Sequence, residues 1–112
     1  MTSFWANDAS GSGNCTGSGL CTWNFQKNNN GWYTYNGKLV IATATTYLAK
    51  QGWQVGNSVQ LHKYYDEIIL NINGVDYPAI VLDSCGACMK KKIIDLFVSG
   101  SGSSITTQVL VK

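Results

Sequence analysis

The segment 67–83, EIILNI-NG-VDYPAIVLD, constrains this chain more than any other stretch. Two β-branched runs meet at Asn73-Gly74, a pair that tolerates the positive φ angles of a two-residue turn, so an antiparallel hairpin is expected there. Pro78 has no N–H to give to a ladder, so the return strand must be bulged or lie partly on an edge at that point. Other short runs of the same character surround the hairpin: 32–35, 38–48 (KLVIATATTYL), 58–62, 92–98 and 105–111. Gly-, Asn- and Ser-rich turns separate them, and a Gly/Ser loop covers 99–104. Only 45–51 competes as a helix. Six or seven short strands within 112 residues argue for one mainly β domain, a small closed barrel.

Residues 1–31 read differently. Between positions 7 and 19 nearly every residue is Gly, Ser, Asn, Asp or Thr, which buries too little to order itself. Phe4, Trp5, Leu20, Trp23 and Phe25 punctuate this stretch. It is expected to be an irregular N-terminal arm, 1–31, that packs its rings on a barrel domain, 32–112, and ends at the turn Asn28-Asn29-Asn30-Gly31.

Charge narrows the function classes. Net charge is +2, and all eight basic residues are Lys. Without guanidinium forks there is no bidentate reading of guanine edges or phosphates, so nucleic acid is not an expected partner. The longest apolar runs, about six residues, fall far short of the ~20 that cross a bilayer, so no membrane partner is expected. The opening Met1-Thr2-Ser3-Phe4-Trp5 has neither the basic nor the apolar region of a signal peptide. A domain cut from a larger chain, with Met1 added, is the expectation, and a monomer as an isolated domain. With only 12% charged residues, four Trp and six Tyr, the surface suits neutral ligands, and the rings divide between core and stacking platforms for sugars.

Four cysteines, Cys15, Cys21, Cys85 and Cys88, fit two disulfides in an oxidising compartment, with three pairings open. The Cys85-Gly86-Ala87-Cys88 pair reads as a local disulfide, a redox dithiol or half of a zinc site. Zinc would need Cys15 and Cys21, whose spacing is wide, and the redox reading lacks its βαβ context. Structural disulfides are expected, with no metal and no cofactor.

Six carboxylates are present, and two stand in unusual places. Asp95 lies within IIDLFV, where strand alternation gives it the face of Ile93 and Phe97. Apolar neighbours strip its hydration and favour the protonated form, which a general acid near neutral pH requires. Asp83 ends AIVL just before a tight turn, where backbone amides can hold it ionised. It also serves as a turn cap, and Asp95 as a solvent-facing residue or an acceptor for Lys90–Lys92, in the blander reading. Asp66, Glu67 and Asp76 flank turns and are expected in solvent. A strand through 41–47 would place Thr43, Thr45 and Tyr47 on one face, suited to sugar hydroxyls; plain β-propensity explains them equally. His62, the lone histidine, is expected to be structural, and no Ser-His-Asp or Cys-His set assembles.

Three motifs occur in order: Ala44-Thr45-Thr46-Tyr47, Val81-Leu82-Asp83-Ser84 and Ile94-Asp95-Leu96-Phe97. Together, over roughly 39–111, they resemble the double-psi β-barrel superfamily. That group includes 3D-domain and MltA-type lytic transglycosylases, RlpA-like proteins, expansins and family 45 endoglucanases. The resemblance implies a six-stranded double-psi β-barrel with an open groove lined by Thr45, Tyr47, Asp83 and Asp95. It implies cleavage of peptidoglycan, or another cell-wall polysaccharide, with Asp95 as acid/base and Asp83 tuning it. It also implies an extracellular or wall-associated setting, within a larger secreted or phage-tail protein. The Cys85–Cys88 turn is closer to that of expansins, which loosen polysaccharide without appreciable hydrolysis; a non-hydrolytic wall-binding module is the alternative.

Overall fold

A computed structural model describes residues 1–8 and 11–100, and the backbone of 109–111. Its described elements, in chain order, are strands β1 (Thr2–Trp5), β2 (Gln26–Lys27), β3 (Tyr33–Tyr35) and β4 (Lys38–Thr43), helix α1 (Thr46–Lys50), then β5 (Glu67–Ile72), β6 (Val75–Ser84), β7 (Asp95–Val98) and β8 (Val109–Val111). Short 3-10 turns lie at Thr22–Asn24 and Ala87–Met89.

The protein is mainly β, as its runs suggest. The strands form one mixed sheet in the order β1-β7-β4-β6-β5-β8, with β3 on the free part of β4 and β2 on β3. The two ends of that path are not joined, so the described sheet is open rather than closed into a barrel. Two pairs are parallel, β1 with β7 and β4 with β6; the others are antiparallel. The expected last strand, 105–111, lies outside the described residues except for β8.

The hairpin forms where Asn73-Gly74 predicts it. Asn73 has φ 54° and Gly74 φ 83°, the pair of left-handed residues a type I′ turn demands. Pro78 pairs with Ile69 of β5, while β4 joins the opposite edge of β6 only from Ala79 onward. Among the described residues the other edge of β6 is unpaired at Pro78, so its missing N–H costs nothing there.

Both faces of the central strands are buried, and the alternation is clean. Leu39 and Ile41 of β4, Val81 of β6 and Leu96 and Val98 of β7 pack on one side with Leu70 and Ile72. Val40 and Ala42 face the other side with Phe4, Tyr33, Phe97, Cys88 and Met89. Phe97 anchors that second cluster. Phe4 stacks on it at 4.9 Å, Tyr33 lies at 4.5 Å, and Phe25 meets it edge-on at 5.8 Å. The segment expected as an arm thus contributes two strands, β1 and β2, to the sheet and the rings of Phe4 and Phe25 to the core.

One expectation is corrected. The run 38–48 is not a single strand: β4 stops at Thr43, and α1 begins at Thr46. Thr45 is the N-cap, its hydroxyl accepting the Leu48 N–H at 3.3 Å. The helix entry is fixed from outside the segment, because Thr46 N–H donates to the His62 carbonyl and His62 N–H to the Ala44 carbonyl. Local β-propensity loses to these contacts, and Thr43, Thr45 and Tyr47 do not share a strand face. The run 58–62 contributes only a bridge between His62 and Thr45.

Candidate active site

A bulge in the central sheet sets up the pocket. Ile41 of β4 pairs with Val81 of β6, but the next residue, Ala42, pairs with Asp83. Leu82 is the extra residue. It reverses the in–out alternation of β6, so Asp83 takes the face that Leu82 would otherwise occupy. On the opposite edge of β4, Ala42 pairs with Asp95. The two carboxylates therefore flank one small residue on the same face of three adjacent strands, their backbones two strand spacings apart, roughly 10 Å.

The pocket over Ala42 holds about 330 Å³. Asp83, Asp95, the Cys85–Ala87 turn and Phe4 form its inner wall, and Asp8, Thr16 and Ser18 of the N-terminal loop form the outer one. Sequence reasoning missed Asp8 and Ser18. No local pattern marks them, since they reach the pocket only through the folding of a Gly- and Ser-rich loop. The Cys15–Cys21 disulfide staples that loop. Backbone bonds from Asn7 N–H to the Cys15 carbonyl (2.8 Å) and from Gly11 N–H to the Asp8 carbonyl (2.7 Å) shape it. At Gly11 a Cβ would come within 2.5 Å of the Cys15 carbonyl oxygen, so only glycine permits this closure.

The two sheet carboxylates differ in their partners. Asp83 accepts the Ser84 N–H at 2.8 Å and the Ser18 hydroxyl. Burial nonetheless raises its pKa above the ordinary value, against those two hydrogen bonds. Among the described residues no hydrogen bond reaches the Asp95 carboxyl. Burial raises its pKa to about 6, with further lift from the negative charges of Asp8 and Asp83. Asp8 is itself raised, mainly by burial. The positive N-terminus pulls Asp95 the other way but does not cancel these effects, so Asp95 is the carboxyl in this pocket that holds a proton close to neutral pH.

The remaining predicted residues fall as follows. Thr43 and Thr45 are buried, and Tyr47 is half exposed on α1. Thr45 Oγ1 lies 2.6 Å from Ser84 Oγ, and Tyr64 Oη 2.7 Å from the same oxygen, so a hydroxyl chain joins the helix cap to the pocket wall. Thr45 reaches the pocket through Ser84; Thr43 lies in a second cavity of about 430 Å³ with His62, Lys91 and Lys92. Among the described residues no carboxylate lines that larger cavity; Cys88 lines it, while Cys85, Gly86 and Ala87 line the acidic one. His62 is buried, its Nδ1 3.8 Å from Asp66.

Cys85 pairs with Cys88 and Cys15 with Cys21. The sulfurs of Cys85 and Cys88 stand within 4.8 Å of an Asp95 carboxylate oxygen. Bonded to each other, they are not the thiolates a zinc site requires, and they act as an apolar wall against Asp95. Two disulfides suit a non-reducing compartment. No described helix is long and apolar enough to cross a membrane. No protein-family model, curated protein or solved structure matches the chain.

Proposed function

We propose that this protein cleaves cell-wall glycan, as a lytic transglycosylase of the double-psi β-barrel type acting on peptidoglycan through Asp95. The observation that carries the reading is the setting of Asp95. It is a half-buried carboxyl without a hydrogen-bond partner among the described residues, beside Phe97 and the Cys85–Cys88 disulfide, facing an open pocket that also holds Asp83. The two parallel pairs of the sheet, β1/β7 and β4/β6, support the double-psi topology, in which strands cross over rather than run as a simple meander.

The chemistry follows from the protonation states. Protonated Asp95 gives its proton to the glycosidic oxygen as the bond from that oxygen to C1 breaks. The departing chain leaves as an alcohol, and positive charge develops on the C1–ring oxygen unit. Asp83, the more hydrogen-bonded carboxylate, stabilises that charge from across Ala42. The Asp95 carboxylate then takes the proton of the substrate's own C6 hydroxyl while that oxygen bonds to C1. An anhydro ring closes without water, and Asp95 is again protonated. The Asp95 carboxyl must be protonated at the start, so cleavage falls about tenfold per pH unit above its pKa near 6.

Purified peptidoglycan incubated with the protein at pH 5–6, followed by mass spectrometry, is expected to yield anhydro-muropeptides. Asp95→Asn should lower the rate by about 10²–10⁴, the usual contribution of a general acid. The same substitution should change stability in a defined pH window. The native state holds the Asp95 proton up to about pH 6, whereas the unfolded chain releases it near 3.8, so wild-type stability declines as pH rises between these values. Asp95→Asn should flatten that decline. Pelleting with insoluble wall but no soluble fragments from the wild type would instead support the non-hydrolytic module.

A further inference from the structure

Two half-exposed aromatic rings, Tyr64 and Trp53, touch residues that line the acidic pocket, a third, Tyr47, lies against Tyr64, and the chemistry above uses none of them. Tyr64 is 38% exposed, yet it is held at both ends. Its hydroxyl bonds Ser84 Oγ, and its ring lies 5.7 Å from Tyr47, which is 50% exposed. Trp53, 46% exposed, lies against the backbone of the same wall: a Cβ added to Gly86 would come within 2.9 Å of its ring. Ser84 and Gly86 both line the pocket. Single apolar side chains in water are ordinary, but rings packed behind Ser84 and Gly86 of one cavity wall mark a binding surface.

We infer that Trp53, Tyr47 and Tyr64 form a stacking subsite for a neutral pyranose ring beside the acidic pocket, with the Ser84 hydroxyl as a hydrogen-bonding group at its inner end. This deepens the glycan reading above and rests on it. A pyranose presents a CH-lined face and a rim of hydroxyls, so it needs a flat apolar ring with donors at the edge. Ser84 Oγ bonds the hydroxyls of Thr45 and Tyr64, and a hydroxyl has one donor and two acceptor positions, so one hydrogen-bonding position of Ser84 remains for a ligand. Charge selects the class of sugar, because Asp8 and Asp83 on the pocket wall disfavour an anionic chain and leave a neutral or N-acetylated one.

The probe is tetra-N-acetylchitotetraose, titrated into the full chain with amide and indole NMR detection and by calorimetry. Shifts are expected at the Trp53 indole N–H and at the amides of 84–86, and no shift with an oligogalacturonate of equal length. Trp53→Ala should weaken binding roughly tenfold, and Tyr47→Ala by a smaller factor. The wild-type shift map is independent of any variant's folding. Absence of wild-type binding, shifts confined to the cavity of Lys91 and Lys92, equal binding of the oligogalacturonate, or unchanged affinity in both variants would overturn the subsite. Anhydro-muropeptide release, measured in parallel, keeps the two ideas apart. Release with ring-independent binding removes the subsite alone; ring-dependent binding without release removes the cleavage reading alone.

Discussion

The two walls of the acidic pocket are built on different principles. The inner wall is sheet: Asp83 and Asp95 project from β6 and β7 on either side of Ala42, over a core in which Phe97, Leu96, Ile41 and Val81 are essentially closed to solvent. The outer wall is loop: Asp8, Thr16 and Ser18 come from a stretch whose side chains bury little and whose shape depends on one disulfide and a few backbone hydrogen bonds. The inner wall fixes the position of the acid. The outer wall fixes its environment, because Asp8 adds negative charge beside Asp95 and Ser18 occupies Asp83. Position is thus secured by hydrophobic burial and tuning by a staple, and the two should fail under different perturbations.

The largest effect is expected where the walls share a support. Phe97→Ala removes the ring that Phe4, Tyr33 and Phe25 all touch. A loss of about 3–5 kcal/mol is expected for a buried Phe, a large part of the 5–15 kcal/mol that holds a typical domain. Urea unfolding should show this loss, with both walls melting together. A loss below about 1 kcal/mol would mean that Phe97 is not the common anchor.

A smaller effect should separate the walls. Replacing both Cys15 and Cys21 by Ser removes a short closed loop, worth about 2 kcal/mol by chain entropy. Hydrogen exchange should quicken at the amides of Asn7, Cys15 and Thr22, whose bonds lie within the loop. The amides of β4, β6 and β7 should keep their protection. Equal loss of protection in both regions would show that the sheet depends on the loop.

The same contrast explains what could be read from the sequence. The hairpin was legible because Asn73-Gly74 carries its turn geometry locally. Asp95 was legible because strand alternation alone sets it beside Phe97, which the structure places in the core on that side. Both signals belong to the sheet. The end of β4 was only partly legible: 45–51 competes as a helix, but IATATTY has the β-branched content of a strand, and the helix entry depends on His62, seventeen residues beyond Thr45. The bulge at Leu82 was hidden, since it is defined by register against β4. Asp8 and Ser18 lay in a segment whose composition reads as unstructured, and only the staple and distant contacts order it. A two-residue or alternating pattern survives translation from sequence, whereas a contact set by partners far along the chain leaves no local mark.

The most direct test of the proposed chemistry is the protonation of Asp95 itself, followed by carboxyl carbon NMR from pH 3 to 8 in the wild type and in Asp8→Asn. The wild-type resonance should titrate near pH 6. It should move to lower pH in Asp8→Asn, because a neutral amide no longer opposes the anion, with the falling limb of cleavage moving the same way. A wild-type midpoint at the ordinary 3.8, unchanged by Asp8→Asn, would contradict the claim that this pocket holds a proton ready for a glycosidic oxygen.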